Sequence, residues 1–408
     1  MSKLIERPKT EARRMTNQKT ILLVIGIHLL AFAISSPAQR EHWLRYHSAS
    51  EVSLIGGAGY LKTLDLNVEK PSGMNLPQFK ADKPYFAKWA TPMVEAGYLW
   101  IACDRSHKHG PYDLLYIDAN RNGHLDDETV VKANRTDQYN AYFGPVKVIF
   151  EIEDGPVTYH LNFRFYGYEN RTTRLYASSG GWYEGDITIN GVKKHCLLFD
   201  YNANGTFNDK ALNATECDRI RIDKKGVESI RFVGNYIDID GIFYQPEIAR
   251  DGAFIKLTKA DNVQTGEVRV PEAITQFSAG GENGLFILKP EKGLASLPAG
   301  EYRINDWMLE RKDEQGTTWQ LKGTYPPGNG TLVDVVVDEA VDLSIGEPVV
   351  STLNASPRQG TYNFRYNMAG RDGERIELTR NGARPRAPKL HIKNKDTTYD
   401  RTYSFQYG

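Results

Sequence analysis

Residues 114–128 read LLYIDANRNGHLDDE, and residues 196–210 read CLLFDYNANGTFNDK. Each stretch opens with four apolar residues and runs into the pattern Asp-x-Asn-x-Asn-Gly. Short apolar runs that end at Asn-Gly or Asp-Gly are typical of β-strands followed by tight turns. The two stretches therefore predict two equivalent strand–loop units within one chain.

The similarity between these stretches extends in both directions along the sequence. Upstream, Trp100 and Trp182 stand at the same offset of 82 residues as the loops. Downstream, each loop is followed by two alternating runs joined by Asp-Gly. An ordered set of matches at a nearly constant offset indicates an internal duplication. We expect one copy in residues 80–170 and the other in residues 171–260.

Alternating apolar and polar residues dominate the rest of the chain. Examples are VKVIFEI at residues 146–152 and TYHLNFRF at residues 158–165, both rich in residues that favour strands. Beyond the N-terminal segment, no stretch shows a helical period over three turns. The sequence therefore predicts an all-β protein.

The chain after residue 260 lacks the Asx-Gly loop and has turn signals every 8–12 residues or so, as β-sandwiches do. This pattern predicts a sandwich of immunoglobulin-like or transthyretin-like type. The full predicted division is a signal peptide at 1–38, lead strands at 39–79, β-module 1 at 80–170, β-module 2 at 171–260 and the C-terminal β-sandwich at 261–408.

The N-terminal segment predicts export. Residues 1–20 carry six Lys and Arg, residues 21–34 are uncharged and apolar (ILLVIGIHLLAFAI), and Ser-Ser-Pro-Ala-Gln follows. A basic stretch, a short apolar core and a small-x-small site form a secretory signal, here with cleavage after Ala38. The alternative is an uncleaved membrane anchor, although a bilayer span needs about 20 apolar residues. Either way, we expect a secreted, periplasmic or cell-surface protein.

The two Asx-Gly loops carry the residue types of a calcium site. Calcium takes about six to eight oxygen ligands, and side chains at positions 1, 3 and 5 converge where the backbone turns sharply at a glycine in position 6. Both loops match this pattern, and position 7 can add a backbone carbonyl. The candidate ligands are Asp118, Asn120, Asn122, His124, Asp126 and Asp127 in the first loop, and Asp200, Asn202, Asn204, Thr206, Asn208 and Asp209 in the second.

These loops resemble the first half of EF-hand and dockerin-type calcium loops over about a dozen residues each. The resemblance implies calcium as the bound ion, and the overall organisation is similar to exported bacterial β-proteins of unknown function that carry such loops. The second half departs from the pattern, because Thr129 and Ala211 replace the usual bidentate Glu. The entering helix is also replaced by an apolar strand. A plain hydrogen-bonded Asx turn is the alternative interpretation of each loop.

The number of carboxylates in each loop predicts which loop binds calcium more tightly. The first has four carboxylates in residues 118–128, and the second has two in residues 200–210. Because more anionic ligands bind calcium more tightly, we expect the first loop to be the stronger site.

Three cysteines offer two further alternatives. No pair has Cys-x-x-Cys spacing, which argues against a zinc ribbon. In an oxidising compartment Cys196 and Cys217 would be able to form a disulfide, which would leave Cys103 as a free thiol. Alternatively, all three are small buried thiols.

The balanced net charge and the absence of a literal catalytic motif reduce the number of functions that the sequence predicts. The 51 Lys and Arg balance 51 Asp and Glu, so nucleic-acid binding is not expected. No literal catalytic motif is present in the sequence. We therefore predict an exported, non-catalytic protein that is stabilised by calcium.

The predicted partner is a cell-surface polysaccharide or protein, and membrane contact is expected only through an uncleaved N-terminus. The alternative function is that of a secreted hydrolase acting on polysaccharide. Trp100 and Trp182 are expected in the core, with a sugar-binding face at Trp182 as the alternative.

Overall fold

The computed structural model describes residues 41–49, 61–153, 155–167, 172–223, 226 and 229–406. The described residues contain many β-strands and no helix, which confirms the all-β prediction. The described part of the chain accordingly has no helix able to cross a lipid bilayer. The predicted signal peptide at 1–38 lies outside the described residues.

Two lobes follow one another along the chain, each with its own apolar core. The first lobe, residues 42–259, contains β1 (His42–Trp43), β2 (Arg45–Ser48), β3 (Lys62–Leu64), β4 (Tyr85–Ala90), β5 (Tyr98–Asp104), β6 (Leu114–Ile117), β7 (Val131–Lys132), β8 (Arg135–Thr136), β9 (Asn140–Ile152), β10 (Gly155–Tyr166), β11 (Arg174–Ser179), β12 (Gly181–Ile189), β13 (Val192–Phe199), β14 (Arg219–Ile222), β15 (Arg231–Phe232), β16 (Ile237–Ile239), β17 (Ile242–Ile248) and β18 (Phe254–Lys259).

The second lobe, residues 265–404, contains β19 (Thr265–Arg269), β20 (Ile274–Gly281), β21 (Gly284–Leu288), β22 (Leu294–Pro298), β23 (Gly300–Lys312), β24 (Thr318–Thr324), β25 (Leu332–Val335), β26 (Ala340–Asp342), β27 (Val350–Arg358), β28 (Thr361–Ala369), β29 (Arg375–Arg380), β30 (Lys389–Lys393) and β31 (Asp400–Ser404).

The sheets of the first lobe repeat one plan. One sheet has the order β4-β5-β6-β7, and another contains the order β2-β12-β13-β14. Two further sheets contain β3-β11-β10-β9 and β1-β18-β17-β16. In each pair the strands at corresponding places carry the residues that match in sequence. The sheet topology therefore has the symmetry that a duplicated unit would produce.

The described strands of the predicted lead segment at 39–79 pair with strands of both copies. Strand β2 pairs with β12 and β1 pairs with β18, so the first described residues complete sheets of the second copy. Strand β3 pairs with β11 and completes a sheet of the first copy. The chain ahead of the duplication therefore supplies edge strands to both copies.

One apolar core unites the two copies. It runs from Leu44 to Ile255 and takes buried side chains from both, such as Trp89 and Phe150 on one side and Ile187 and Leu198 on the other. Burial of apolar surface contributes about 25 cal/mol per Å², so a shared core couples the stability of the two copies. The predicted module boundaries at 170 and 260 stay predictions.

The second lobe has a sandwich-like arrangement. A three-stranded sheet (β22-β19-β26) and a larger sheet containing β20, β23 and β24 supply side chains to one core. At its centre Trp307 is buried, and its Nε1 donates to the buried Glu374 carboxylate. The hairpin of β27 and β28 is largely exposed. The immunoglobulin-like or transthyretin-like assignment stays a prediction.

A close backbone contact joins the two lobes. Gly234 lies between β15 and β16, where a Cβ atom would lie 2.3 Å from the backbone nitrogen of Gly284. Next to this contact, the N–H groups of Asn235 and Tyr236 donate to the carbonyls of Glu282 and Asn283. Glycine is therefore required at residue 234 because the two backbones meet there.

We expect Gly234→Ala to lower the free energy of unfolding by about 1–3 kcal/mol, the usual cost of overpacking a closed contact. Gly110→Ala is the matched control, because a Cβ atom there would meet its nearest neighbour at an ordinary 3.5 Å. Urea unfolding of both variants measures the difference. Equal midpoints would show that the lobes do not depend on this contact.

Candidate metal loops

The first loop, residues 118–128, is held by side-chain oxygens that accept hydrogen bonds from backbone N–H groups. Asn120 Oδ1 accepts from Asn122 N at 3.0 Å, and Asn122 Oδ1 accepts from His124 N at 2.8 Å. The amide of Asn122 donates to Asp127 Oδ2 at 2.7 Å. Glu128 Oε1 accepts from the N–H of Ala119 at 2.8 Å. The loop is thus closed by its own polar side chains.

Asp118 differs from the other polar residues of the first loop. It is buried at the end of β6, with 6% of its surface exposed. Its Oδ1 is buried and accepts no hydrogen bond from any described residue. A buried carboxylate oxygen without a donor is costly, since its lost hydration is not replaced. Asp118 therefore leaves one strong acceptor free inside the loop.

The second loop, residues 200–218, has the same internal hydrogen bonds. Asn202 Oδ1 accepts from Asn204 N at 3.1 Å, and Asn204 Oδ1 accepts from Thr206 N at 2.8 Å. The amide of Asn204 donates to Asp209 Oδ2 at 2.7 Å, as Asn122 does to Asp127. The two loops therefore share local structure as well as sequence.

The structure brings four candidate ligands of the second loop, Asn202, Asn204, Thr206 and Asp209, into one hydrogen-bonded network. In the second loop Asp209 Oδ2 also accepts from Asn202 Nδ2 and lies 2.8 Å from Thr206 Oγ1. Asn208 is half-buried and takes no part in this network of described residues. In the first loop Asp126 is exposed and lies 3.6 Å from His124 Nδ1.

Asp218 is a member of the second loop that the repeat alignment misses. Its Oδ1 accepts from Tyr201 N at 3.1 Å, as Glu128 accepts from Ala119 in the first loop. Strand pairing explains the equivalence. Eighteen residues separate the partners Leu114 and Lys132, and 26 separate Cys196 and Ile222. The second loop therefore has an eight-residue insertion, which displaces Asp218 from the constant offset.

Burial separates the two loops. Asn120, Asn122 and Asp127 are exposed, whereas Asp200, Asn202 and Thr206 are buried. The first copy covers the second loop. Trp89 Nε1 donates to the carbonyl of Ala203 at 2.7 Å, and Tyr159 Oη donates to Asp200 Oδ2 at 2.7 Å. The second loop is therefore an internal joint between the copies, and the first loop faces solvent.

The buried loop concentrates negative charge. Burial raises the pKa of Asp200 from its ordinary 3.8 to about 7, and the charge of Asp209 adds to this, while donation from Tyr159 and Gly205 lowers it. Burial, and then the charges of Asp200 and Asp209, raise the pKa of Asp218 well above its ordinary value. The adjacent guanidinium of Arg219 donates to the backbone carbonyls of residues 214, 217 and 218. The buried carboxyl groups of Asp200 and Asp218 thus lie close enough to Asp209, and Asp218 to Asp200, for the neighbouring charges to raise their pKa.

The three cysteines are buried free thiols, so the structure contains no Cys196–Cys217 disulfide. Cys196 lies in the shared apolar core on β13. Cys217 instead directs Sγ to the carbonyl of Ala211 at 2.9 Å. Burial raises the pKa of Cys196 to about 12 and that of Cys217 to about 11, so neither is a reactive thiolate near neutral pH.

The oxygen atoms of both loops suit a hard cation such as calcium. In the described residues, however, no group of three or more His, Cys, Asp and Glu side chains is placed to hold a metal ion. Asn122 and Asn204 turn amide N–H groups, not oxygens, toward the neighbouring carboxylates. Calcium binding therefore stays a prediction. No protein-family model, curated protein or solved structure matches this chain.

We expect Tyr159→Phe to lower the free energy of unfolding by about 1–3 kcal/mol, because Asp200 loses a buried hydrogen-bond donor. Tyr362→Phe is the control, since Tyr362 is 68% exposed and surface changes of this kind stay within about 0.5 kcal/mol. Chemical denaturation of both variants provides the comparison. A Tyr159→Phe variant as stable as the control would contradict the role given to this bond.

The pKa of Asp200 also predicts a pH dependence for the chain in EDTA. Between about pH 4 and pH 7 the folded chain keeps a proton on Asp200 that the unfolded chain has lost. This proton favours folding at low pH, and its contribution is lost as the pH rises through that window. The free energy of unfolding should therefore fall by a few kcal/mol as the pH rises from about 4 to about 7.

Asp200→Asn isolates this effect, because Asn has no proton to lose. We expect the free energy of unfolding to fall further with rising pH in the wild-type chain than in the Asp200→Asn variant. Urea titration at several pH values measures both. Identical profiles for the two chains would show that Asp200 titrates normally.

Proposed function

We propose that the chain is an exported, non-catalytic β-protein in which calcium stabilises the two Asx-Gly loops. The observation that carries the proposal is the free Oδ1 of the buried Asp118, an anionic acceptor without a hydrogen-bond donor among the described residues. A bound cation would replace the hydration that this oxygen has lost. Export is proposed from the N-terminal sequence alone.

The second loop supports the same proposal independently. Asp200, Asp209 and Asp218 repel one another when ionised, and this repulsion contributes to the raised pKa of Asp218. A divalent cation would allow these carboxyl groups to ionise together in a buried site. The hydrogen bonds that Asn202 and Asn204 make to Asp209 already hold amide and carboxyl groups side by side.

Position in the fold gives the two sites different roles. The second loop lies under Trp89 and Tyr159 of the first copy, so calcium there would fasten the two copies of the duplication together. The first loop lies at the surface, where a bound ion is accessible. Calcium in exported modules commonly binds with a dissociation constant of about 10⁻⁴–10⁻³ M, which suits a structural ion in a calcium-rich medium.

Hydrolysis of a polysaccharide stays the alternative prediction. Glu95 and Asp118 line one cleft beside the first loop, so two carboxyl groups are present there. Asp118 is fixed in place, because its backbone N–H donates to the carbonyl of Trp100 at 3.0 Å. The non-catalytic role is preferred since both loops share the oxygen-rich pattern, and the second is closed to any polymer.

We expect calcium to raise the melting temperature of the full chain relative to EDTA. At a calcium concentration about 100-fold above the dissociation constant, the stabilisation should be about 2.7 kcal/mol per site. Magnesium at the same concentration should stabilise less, because it requires a stricter octahedral geometry. Differential scanning calorimetry measures both.

Two variants and a control assign the effect to the loops. Asp118→Asn and Asp200→Asn should each reduce the calcium-induced shift. Asp82→Asn should retain it, since the Asp82 side chain is 77% exposed and lies outside both loops. If the wild-type chain melts at the same temperature in EDTA and in excess calcium, the proposed role is wrong.

A further inference from the structure

The C-terminal part of the chain carries a positive charge that the balanced total conceals. Residues 350–408 contain eleven Lys and Arg but five Asp and Glu, in a chain whose charges otherwise cancel. A basic region within a neutral chain favours an anionic partner. The positions of these basic side chains in the second lobe therefore indicate where such a partner would bind.

Four arginines line a cleft of about 590 Å³ between β28 and β29. The two strands are neighbours in the large sheet, yet they pair only through Ala369 and Arg375. Beyond this pair they separate, and the space between them is the cleft. Its charged lining consists of Arg365, Arg375, Arg384, Arg386 and Glu377. All four arginines are exposed, and their planar guanidinium groups suit phosphate and carboxylate. We call this site the arginine cleft.

Neighbouring charges reduce the positive excess of the arginine cleft without removing it. Arg380 and Asp313 both contact the Trp319 side chain at the edge of the cleft and offset each other. Lys322 Nζ lies 4.0 Å from Asp306 Oδ1, which is a second balanced pair. The turn at residues 370–374 adds one base and two acids. Four arginines against one glutamate in the lining therefore leave about two positive charges after all of these groups are counted.

An apolar cavity of about 810 Å³ adjoins the arginine cleft, and the two share Phe364 and Phe405. Tyr362 of β28 lines one side of the cavity. Leu390 and Ile392 of the β30–β31 hairpin line the other. Among the described residues, no charged side chain contributes to this lining. A cationic site and an apolar site are thus continuous on one surface of the second lobe.

The apolar cavity favours a lipid over a charged polymer. Strands β30 and β31 form a sheet of only two strands, and such a sheet is marginally stable in water unless its apolar face is covered. A polysaccharide or nucleic acid would neutralise the arginines but would offer no hydrocarbon to Leu390 and Ile392. Tyr362, Tyr399 and Tyr403 are exposed around the cavity, and tyrosine is a residue that accumulates at membrane–water interfaces.

We propose that the arginine cleft and the apolar cavity together bind an anionic phospholipid at a membrane surface. The arginines form charge-assisted hydrogen bonds with the phosphate, and the acyl chain covers the apolar face of the β30–β31 hairpin. This contact is separate from the predicted N-terminal segment, and it requires no calcium.

Flotation of the full chain with lipid vesicles in EDTA tests this proposal. Vesicles that contain phosphatidylglycerol should carry the chain with them, and vesicles of phosphatidylcholine alone should not. An ionic strength of about 1 M, which screens charges beyond roughly 3 Å, should weaken the binding. Equal binding to both kinds of vesicle, or binding to neither, would overturn the proposal.

Soluble probes distinguish the lipid from other anions. Glycerol 3-phosphate carries the head-group phosphate without an acyl chain, so isothermal titration should detect no binding at the lipid concentration that half-saturates the chain. Equal affinity for glycerol 3-phosphate and for the vesicles would show that the apolar cavity takes no part. Binding to heparin or single-stranded DNA without binding to the vesicles would assign the cleft to a polymer and contradict the lipid.

A double variant, Arg365→Ala with Arg386→Ala, should weaken vesicle binding about 30-fold, because each basic residue near an anionic surface contributes about fivefold. Both side chains are exposed, so the variant should fold. Lys132→Ala with Lys147→Ala is the matched control, since it removes two exposed charges from the first lobe. Equal losses in the two double variants would show that net charge, and not the cleft, causes binding.

Tyr362→Ser tests the apolar cavity, with Asn363→Ser as its control on the other face of β28. Both residues are exposed, and only Tyr362 lines the cavity. Tyr362→Ser should weaken vesicle binding several-fold by removing apolar contact with the lipid, and Asn363→Ser should not. Equal affinities would contradict the role of the cavity. Because flotation is measured in EDTA, its failure would leave the calcium proposal intact.

Discussion

The hydrogen bond from Tyr159 to Asp200 is the contact on which the first lobe depends. It joins a tyrosine on β10 of the first copy to the opening residue of the second loop, and both groups are buried. Burying a carboxyl group is unfavourable unless donors surround it. Gly205 and Asn204 supply backbone donors, and Tyr159 supplies the one that comes from the other copy. The two copies are consequently held in one arrangement by a polar contact inside an apolar core.

The two strand–loop units have the same local structure but differ in burial. Both loops keep the bond from the fifth-position Asn to the tenth-position Asp, at 2.7 Å in each. An eight-residue insertion and the cover from the first copy enclose the second loop, and the first loop stays at the surface. Because the second loop is enclosed, its side chains and backbone form hydrogen bonds with the first copy. Exposure leaves the equivalent side chains of the first loop in contact with solvent.

Alternation of apolar residues was sufficient to predict an all-β chain, because a strand side chain faces the core or the solvent at every second residue. The loops and their equivalent residues were also predictable, since Asx and glycine preferences act over a few residues. The repeat alignment missed Asp218, because an insertion breaks the constant offset that it relied on. It also missed Trp89 and Tyr159, which reach the second loop from 114 and 41 residues away in sequence.

The sequence by itself determined the strand-rich fold class, the equivalence of the two Asx-Gly loops and the residue types that they carry. These properties depend on local preferences, which each short segment carries with it. The tertiary structure alone decided that the N-terminal strands serve both copies, that the copies share one core and that the second loop is buried while the first is open. These outcomes depend on contacts between segments far apart in the chain, where burial and hydrogen-bond satisfaction are decided by the whole arrangement.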